Sequence, residues 1–237
     1  MFDMAGTTVQ DNDEVLFCFA AACKQEGLLV EDKRLNALMG VSKLEVFQIL
    51  WSEVLGKEIQ QQIIETKAQH SFLAFCEILE DYYRSQPVIP TEGTLEVFEW
   101  LRHRDIKVAL NTGFYRLVTD IILNKLGWLA GLDAQYVGGS GSIIDFSIAS
   151  DEVPKGRPEP YMIQKAMDVF GIQDPKQVVK IGDTPVDLAE GRKAGCAASL
   201  AVVNGTHSRS ALEVLVHDGL LGSIRELPEW LEKHGLV

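Results

Sequence analysis

From Asp11 to Pro90 the apolar residues fall at helical spacing with little interruption. Leu16, Phe17, Phe19, Ala20 and Cys23 recur at i, i+3, i+4 and i+7 and predict a helix from Asp13 to Gln25, stopped by Gly27. Ser42-Lys43-Leu44-Glu45 has the form of a capping box and opens a helix whose apolar face carries Leu44, Phe47, Leu50, Trp51 and Val54. A longer pattern runs from Glu58 to about Arg84 through Ile59, Ile63, Ile64, Phe72, Phe75, Ile78 and Leu79, and Pro87 and Pro90 end it.

From Thr91 the rhythm changes to alternating helix and strand. Helices are predicted from Thr94 to His103, Tyr115 to Leu126, Tyr161 to Phe170 and Pro185 to Ala194, with two short ones at the end. Strands are predicted from Ile106 to Leu110, near Tyr136-Val137, from Val178 to Ile181 and from Ser199 to Val203. Such alternation predicts an α/β fold, a doubly wound, Rossmann-like parallel sheet. The helical stretch reads as an inserted α-helical unit, residues 11–90, between the two parts of the sheet domain, residues 1–10 and 91–237. The opening Met1-Phe2-Asp3 is a short apolar stub. A buried central strand usually needs about five residues, so the expectation is that residues upstream of Met1 are missing, or that the first strand is truncated and the sheet weakened.

Composition narrows the function classes. Over 237 residues, 46% are apolar and 24% charged, the balance of a folded globular chain. The net charge of −12, from 22 basic and 34 acidic residues, argues against nucleic acid and anionic membrane as partners. The apolar runs, such as Ala197 to Val203, are too short to span a bilayer, which takes about 20 residues. Cys18, Cys23, Cys76 and Cys196 show no CxxC pairing, and no leader is evident, so a reducing cytoplasm is the expected home. The five histidines show no metal-ligand spacing, and Gly138-Gly139-Ser140-Gly141 reads as a turn.

In doubly wound sheets ligands collect at the carboxyl ends of the strands. Asp3 ends the first strand, Asn111-Thr112-Gly113 the second, and Gly182-Asp183-Thr184-Pro185-Val186-Asp187 a later one, while Lys155-Gly156-Arg157-Pro158 opens a helix between them. Thr184 fits an N-cap with Pro185 at N1 and Asp187 at N3, which keeps both carboxylates near one helix start. Capping explains Asp187 without a metal and is compatible with one. The set offers hard oxygen ligands for Mg²⁺, a carboxylate nucleophile, and a hydroxyl and cation for phosphoryl oxygens, which suits phosphoryl transfer.

Asp-Met-Ala-Gly-Thr-Thr at residues 3 to 8, Thr112-Gly113, Gly156-Arg157-Pro158-Glu159-Pro160 and Gly182-Asp183-Thr184, in that order, resemble the motifs of the haloacid dehalogenase superfamily over nearly the whole chain. Met39-Gly40-Val41-Ser42-Lys43 resembles the cap motif of its phosphonate-cleaving, phosphonoacetaldehyde hydrolase-like branch. The resemblance implies Asp3 as the nucleophile forming an aspartyl-phosphate, with Asp3, Asp183, Asp187 and the Ala5 carbonyl holding Mg²⁺. Thr112 and Arg157 would bind the phosphoryl group, and Gly113, Met39 and Ala5 would line the substrate. The helical insertion would close as a cap, and Lys43 would form a Schiff base with an aldehyde and act as electron sink. The chain departs from the branch at Val46 and Phe114, where a His and a Tyr are usual, and from phosphatases of the superfamily at Ala5, where a second Asp is usual.

One argument about Lys43 stands apart from the resemblance. With Ser42 as N-cap, Lys43 falls at N1 beside the positive end of the helix dipole, which lowers the amine's pKa and makes it a better nucleophile. A solvated surface lysine or a simple phosphate clamp explains the residue equally well. The leading expectation is a Mg²⁺-dependent hydrolase of a small phosphonate or related metabolite. A phosphomonoesterase of the same superfamily is the alternative, and a binding protein that has lost efficient catalysis ranks third. The first helix of the insertion offers an apolar surface for a homodimer.

Overall fold

A computed structural model describes residues 1–56 and 60–237. The predicted pattern positions Glu58 and Ile59 lie outside the described residues. Four helices come first: α1 (Glu14–Gln25), α2 (Asp32–Asn36), α3 (Lys43–Leu55) and α4 (Gln61–Ser85). After α5 (Thr94–Arg102), strands and helices alternate as β1 (Ala109–Thr112), α6 (Arg116–Leu126), β2 (Phe146–Ala149), α7 (Tyr161–Phe170), β3 (Val179–Gly182), α8 (Pro185–Ala194), β4 (Ala198–Val202), α9 (Arg209–Leu212), β5 (Gly219–Leu221) and α10 (Leu227–Lys233). The chain is therefore a parallel α/β core joined to a helical cap, and no helix among the described residues is long and apolar enough to cross a membrane.

The sheet is held together at its centre by the stub. Phe2 bridges Leu110 on one side and Ile181 on the other, both in parallel. Its N–H donates to Ala109 at 2.8 Å, its carbonyl accepts from Asn111 at 2.8 Å, and the Asp3 N–H donates to Ile181 at 2.9 Å. Residues 1–3 thus lie between β1 and β3, giving the spatial order β2, β1, stub, β3, β4, β5 with all pairings parallel. Short as it is, the stub is hydrogen-bonded on both edges. The chain leaves it toward β1 and β2 and later crosses to β3 on the other side, so the order reverses at Asp3 and opens a crevice there.

In the cap the amphipathic helices meet through aromatic rings. Phe19 of α1 stacks on Phe47 of α3 at 4.6 Å, and Phe75 of α4 meets Phe19 edge-on at 5.1 Å. The long α4 reaches back to the sheet domain, where the Tyr115 hydroxyl donates to Glu80 at 2.8 Å and Lys125 donates to the Arg84 and Gln86 carbonyls at 2.8 and 2.7 Å.

Several expectations are corrected. Phe17, Val54 and Ile63 are exposed, because the apolar faces turn on Val15, Cys18, Phe19 and Ala22 in α1 and on Val46, Phe47 and Leu50 in α3. Ser42 starts α3 but makes no side-chain capping bond, so the capping box does not form. The strand expected from Ile106 to Leu110 begins at Ala109, since the Val108 amide is taken by the Asp145 carboxylate at 2.9 Å. Near Tyr136 there are two isolated bridges, Val137 with Phe146 and Leu132 with Gly138, and the strand is β2 itself. Neither β2 nor β5 was anticipated from the sequence pattern.

Phe2 is almost fully buried, packs on Phe98 edge-on at 5.3 Å and carries the strand bonds on both sides. Phe2→Ala should therefore cost about 3–5 kcal/mol, within the usual range for truncating a core phenylalanine. Urea unfolding will check this, and a loss below about 1 kcal/mol would show that the stub does not brace the sheet.

Candidate active site

The sheet geometry places Asp3, Thr112 and Asp183 at the carboxyl ends of three adjacent strands. Asp3 follows the stub, Thr112 closes β1 and Asp183 follows β3, while Asp187 comes from the first turn of α8. As expected, Thr184 is the N-cap and Pro185 is at N1. The Thr184 N–H donates to Asp187 Oδ2 at 3.2 Å, which folds the Asp187 carboxylate back over its own helix start.

The Asp3, Asp183 and Asp187 carboxylates are all buried, each with an oxygen within 4.8 Å of the others. Burial pushes the Asp183 carboxyl well above the usual carboxylate range, and the charges of Asp3 and Asp187 push it further. Its partners are polar but weak: the Thr206 N–H at 2.6 Å and the Thr7 hydroxyl at 3.2 Å. The backbone is shaped around it. Gly6 has φ +83°, and a Cβ there would fall 2.3 Å from Asp183 Oδ2, so no side chain fits between the first loop and the carboxylate.

Two buried cations answer part of this charge. Arg157 pairs with Asp3 at 2.7 Å and with Asp187, and its Nε is buried without a protein partner. Lys180 of β3 lies 2.8 Å from Asp187 and 3.4 Å from Glu190, and donates to Asn111 Oδ1 at 2.7 Å. Asn111 in turn donates to both Glu190 oxygens at 2.8 and 2.9 Å. Arg157 and Lys180 hold the Asp187 carboxyl below the usual range against the effect of burial, whereas burial raises Asp3. If all four carboxyls (Asp3, Asp183, Asp187, Glu190) ionise, these two cations leave two negative charges, the deficit a divalent cation with oxygen ligands would fill; without one, burial favours the protonated form of Asp183.

Lys43 is at N1 of α3, as expected, but it is not a surface residue: only 4% of it is exposed. Its amine is 3.9 Å from Met39 Sδ and 5.7 Å from the centre of the Phe19 ring, and it forms no ion pair among the described residues. Burial pulls it down to about 8, with the Arg157 charge as a second cause, so desolvation outweighs the helix-start position anticipated from sequence. A cavity of about 30 Å³ joins this amine to the sheet domain, and it is lined by Asp3, Ala5, Asp11, Met39, Lys43, Thr112, Gly113, Phe114 and Arg157 among others. Seven of the nine residues singled out from sequence therefore meet at this space, and Asp183 and Asp187 lie directly behind Asp3. Val46 and Phe114, the positions at which the chain departs from the resemblance, are buried apolar residues with no proton to give.

Sequence reasoning passed over Lys180, Glu190, Thr7, Thr206 and Asp11. A lysine inside the apolar run Val178-Val179-Lys180-Ile181 was a visible signal, because a charge in a central strand needs a buried partner. Thr206 gave none, since Asn204-Gly205-Thr206 has the pattern of a glycosylation site and only the fold brings it to Asp183.

With this geometry in view, comparisons with known proteins converge. Residues 1–195 match the haloacid dehalogenase-like hydrolase family. A phosphonoacetaldehyde hydrolase of Bacillus cereus (strain ATCC 10987 / NRS 248) is 31% identical over 205 residues, spanning 82% of this chain and 72% of that protein. The enzyme of the same description from Bacillus cytotoxicus is 28% identical over 243 residues, spanning 98% and 86%. A hydrolase from Pseudomonas syringae shares the fold, with a TM-score of 0.80 at 19% identity over 98% of this chain and 96% of that one. The chain belongs to the haloacid dehalogenase-like hydrolases.

Proposed function

We propose that this hydrolase cleaves the carbon–phosphorus bond of a small phosphonate aldehyde, phosphonoacetaldehyde being the first candidate, with Asp3 as nucleophile and Lys43 as the amine that binds the aldehyde. The observation that carries this reading is the buried Lys43 amine, without an ion pair among the described residues, on the same cavity as Asp3. An ester hydrolase has no evident use for an amine that has been desolvated and left without a carboxylate, whereas cleavage of a phosphonate needs one, because the departing carbon must be given somewhere to put its electrons.

Asp3, Asp183 and Asp187, with the Ala5 carbonyl, would hold Mg²⁺; when bound, the ion offsets their charge and polarises the phosphoryl oxygens. Arg157, whose Nε has no partner among the described residues, and the Thr112 hydroxyl would receive the remaining oxygens, which their lining of the same cavity supports. Lys43 in its neutral form adds to the aldehyde carbon, and loss of water gives a protonated imine. An Asp3 oxygen then forms a bond to phosphorus as the carbon–phosphorus bond breaks, and that electron pair moves into the imine to give an enamine. Water cleaves the aspartyl-phosphate, restoring Asp3, and the enamine takes a proton on carbon and is hydrolysed to acetaldehyde and the free Lys43 amine.

Residues 11–90 serve as the cap and residues 1–10 and 91–237 as the core. Gly40, with φ +84°, sits where a Cβ would be 2.5 Å from Val186 Cγ2, and a Cβ on Gly113 would be 2.7 Å from the Gly40 carbonyl. The two glycines let cap and core backbones touch. The cavity of about 30 Å³ has room for a water or two, so substrate needs the cap to move away, and its return would keep bulk water from the reaction.

Purified protein with Mg²⁺ should release phosphate from phosphonoacetaldehyde faster than from any of a panel of sugar phosphates and nucleotides, and Asp3→Asn should lower this by a factor of about 10³ or more. Faster release from the esters would overturn the phosphonate reading, and an active Asp3→Asn variant would overturn the nucleophile. A second expectation concerns the amine. Labelled-lysine NMR should show Lys43 titrating near pH 8, and a midpoint near the ordinary 10.5 would contradict its desolvation. Because the folded state gives up this proton at lower pH than the unfolded chain, the Lys43 contribution to stability should rise from about pH 8 to 10.5.

A further inference from the structure

Asp11 lies at the start of the insertion and has no part in the scheme above. It is half-buried and lines the same small cavity as Lys43 and Asp3. Its carboxyl accepts from the Val15 N–H at 3.3 Å and shares a hydrogen bond with the Glu14 carboxyl, and among the described residues it has no cation within ion-pair distance. Lys43 likewise makes no ion pair among the described residues, its amine lying 3.9 Å from the Met39 sulfur and 5.7 Å from the centre of the Phe19 ring. An acid and an amine thus face one small cavity, and no ion pair joins them.

The rest of the site creates a need that Asp11 fits. Forming an imine requires a proton for the departing hydroxyl, and reversing it requires a base for incoming water. Ala5 and Val46 supply neither, and Asp3, Asp183 and Asp187 are committed to the cation cluster. We propose that Asp11 is the general acid and base for the Lys43 imine, an inference that rests on the Lys43 reading above. The Asp11 carboxylic acid gives its proton to the carbinolamine oxygen. The carbon–oxygen bond breaks, water leaves, and the Lys43 nitrogen lone pair closes the C=N bond. Asp11 is left as a carboxylate opposite the iminium. In the return step it takes a proton from the water that attacks this carbon, so no proton is consumed overall.

The surroundings support the protonated form. Burial, aided by Glu14, raises the Asp11 carboxyl to about 7. The titratable groups around it are Glu14 and Cys18 of α1, Tyr82 and Tyr83 of α4 and Lys43 of α3, with Asp3 and Arg157 of the core lining the same cavity, so that Lys43 and Arg157 bring the positive charge. An acid titrating near neutrality is well matched to proton transfer at working pH.

The test is the rate at which cyanoborohydride traps an adduct on Lys43 with phosphonoacetaldehyde, followed by peptide mass spectrometry across pH 5–10 in wild type, Asp11→Asn and Asp11→Ala. Wild type should show a bell between the two groups. Asp11→Asn should trap about 10²–10⁴-fold more slowly and lose the fall on the alkaline side, and formate should restore part of the rate to Asp11→Ala. If wild type traps and Asp11→Asn traps equally fast, or slowly with the same bell, Asp11 is not the acid, while the Lys43 reading stands. If wild type forms no adduct, the Lys43 reading fails and the Asp11 inference falls with it.

Discussion

Three carboxylates gathered within 4.8 Å in a dry interior repel one another strongly, and the rest of the catalytic core is arranged around that repulsion. Arg157 and Lys180 neutralise Asp3 and Asp187 from one side and tie them to Glu190 and Asn111. Asp183 is left with Thr206 and Thr7 alone, and its proton is correspondingly hard to remove. A site with this residual charge is prepared for a cation, and the glycine at position 6 clears the space beside it. The same arrangement explains why the stub matters. Only a strand held between β1 and β3 can present the Asp3 carboxyl at the point where the strand order reverses.

The cap brings the opposite problem, a cation without a counterion. Lys43 is buried against Met39 and Phe19, and the loss of solvation lowers it to about 8, so that its neutral form is far more accessible than that of an ordinary lysine. An anionic, electron-rich site in the core and a desolvated amine in the cap share one cavity, so they can act on the two ends of a small molecule. Phosphorus would meet the first and an aldehyde the second.

Much of the core was legible from sequence because it depends on local rules. Thr184-Pro185-Val186-Asp187 encodes its own helix start, and strand ends in an alternating pattern point to where side chains converge. The bounds of α7 and α8 were exact because Gly171 and Gly195 stop them with left-handed caps. What escaped depends on long-range contact. β2 pairs with β1 from more than thirty residues away, as its register shows. Thr206 reaches Asp183 across 23 positions. The lowered pKa of Lys43 was anticipated, but from its helix position, whereas its cause is burial under Phe19 and Met39, which no spacing along α3 reveals.

The central claim is that Asp3 and Lys43 serve one substrate in order, imine first and phosphoryl transfer second. The most direct test is the mass of the borohydride-reduced Lys43 peptide after phosphonoacetaldehyde is added with Mg²⁺ to wild type and to Asp3→Asn. The account predicts N-ethyl-lysine in wild type, where the carbon–phosphorus bond has broken before reduction, and N-phosphonoethyl-lysine in Asp3→Asn, where it has not. An unmodified Lys43 in both proteins, or an N-ethyl adduct in the variant, would contradict it.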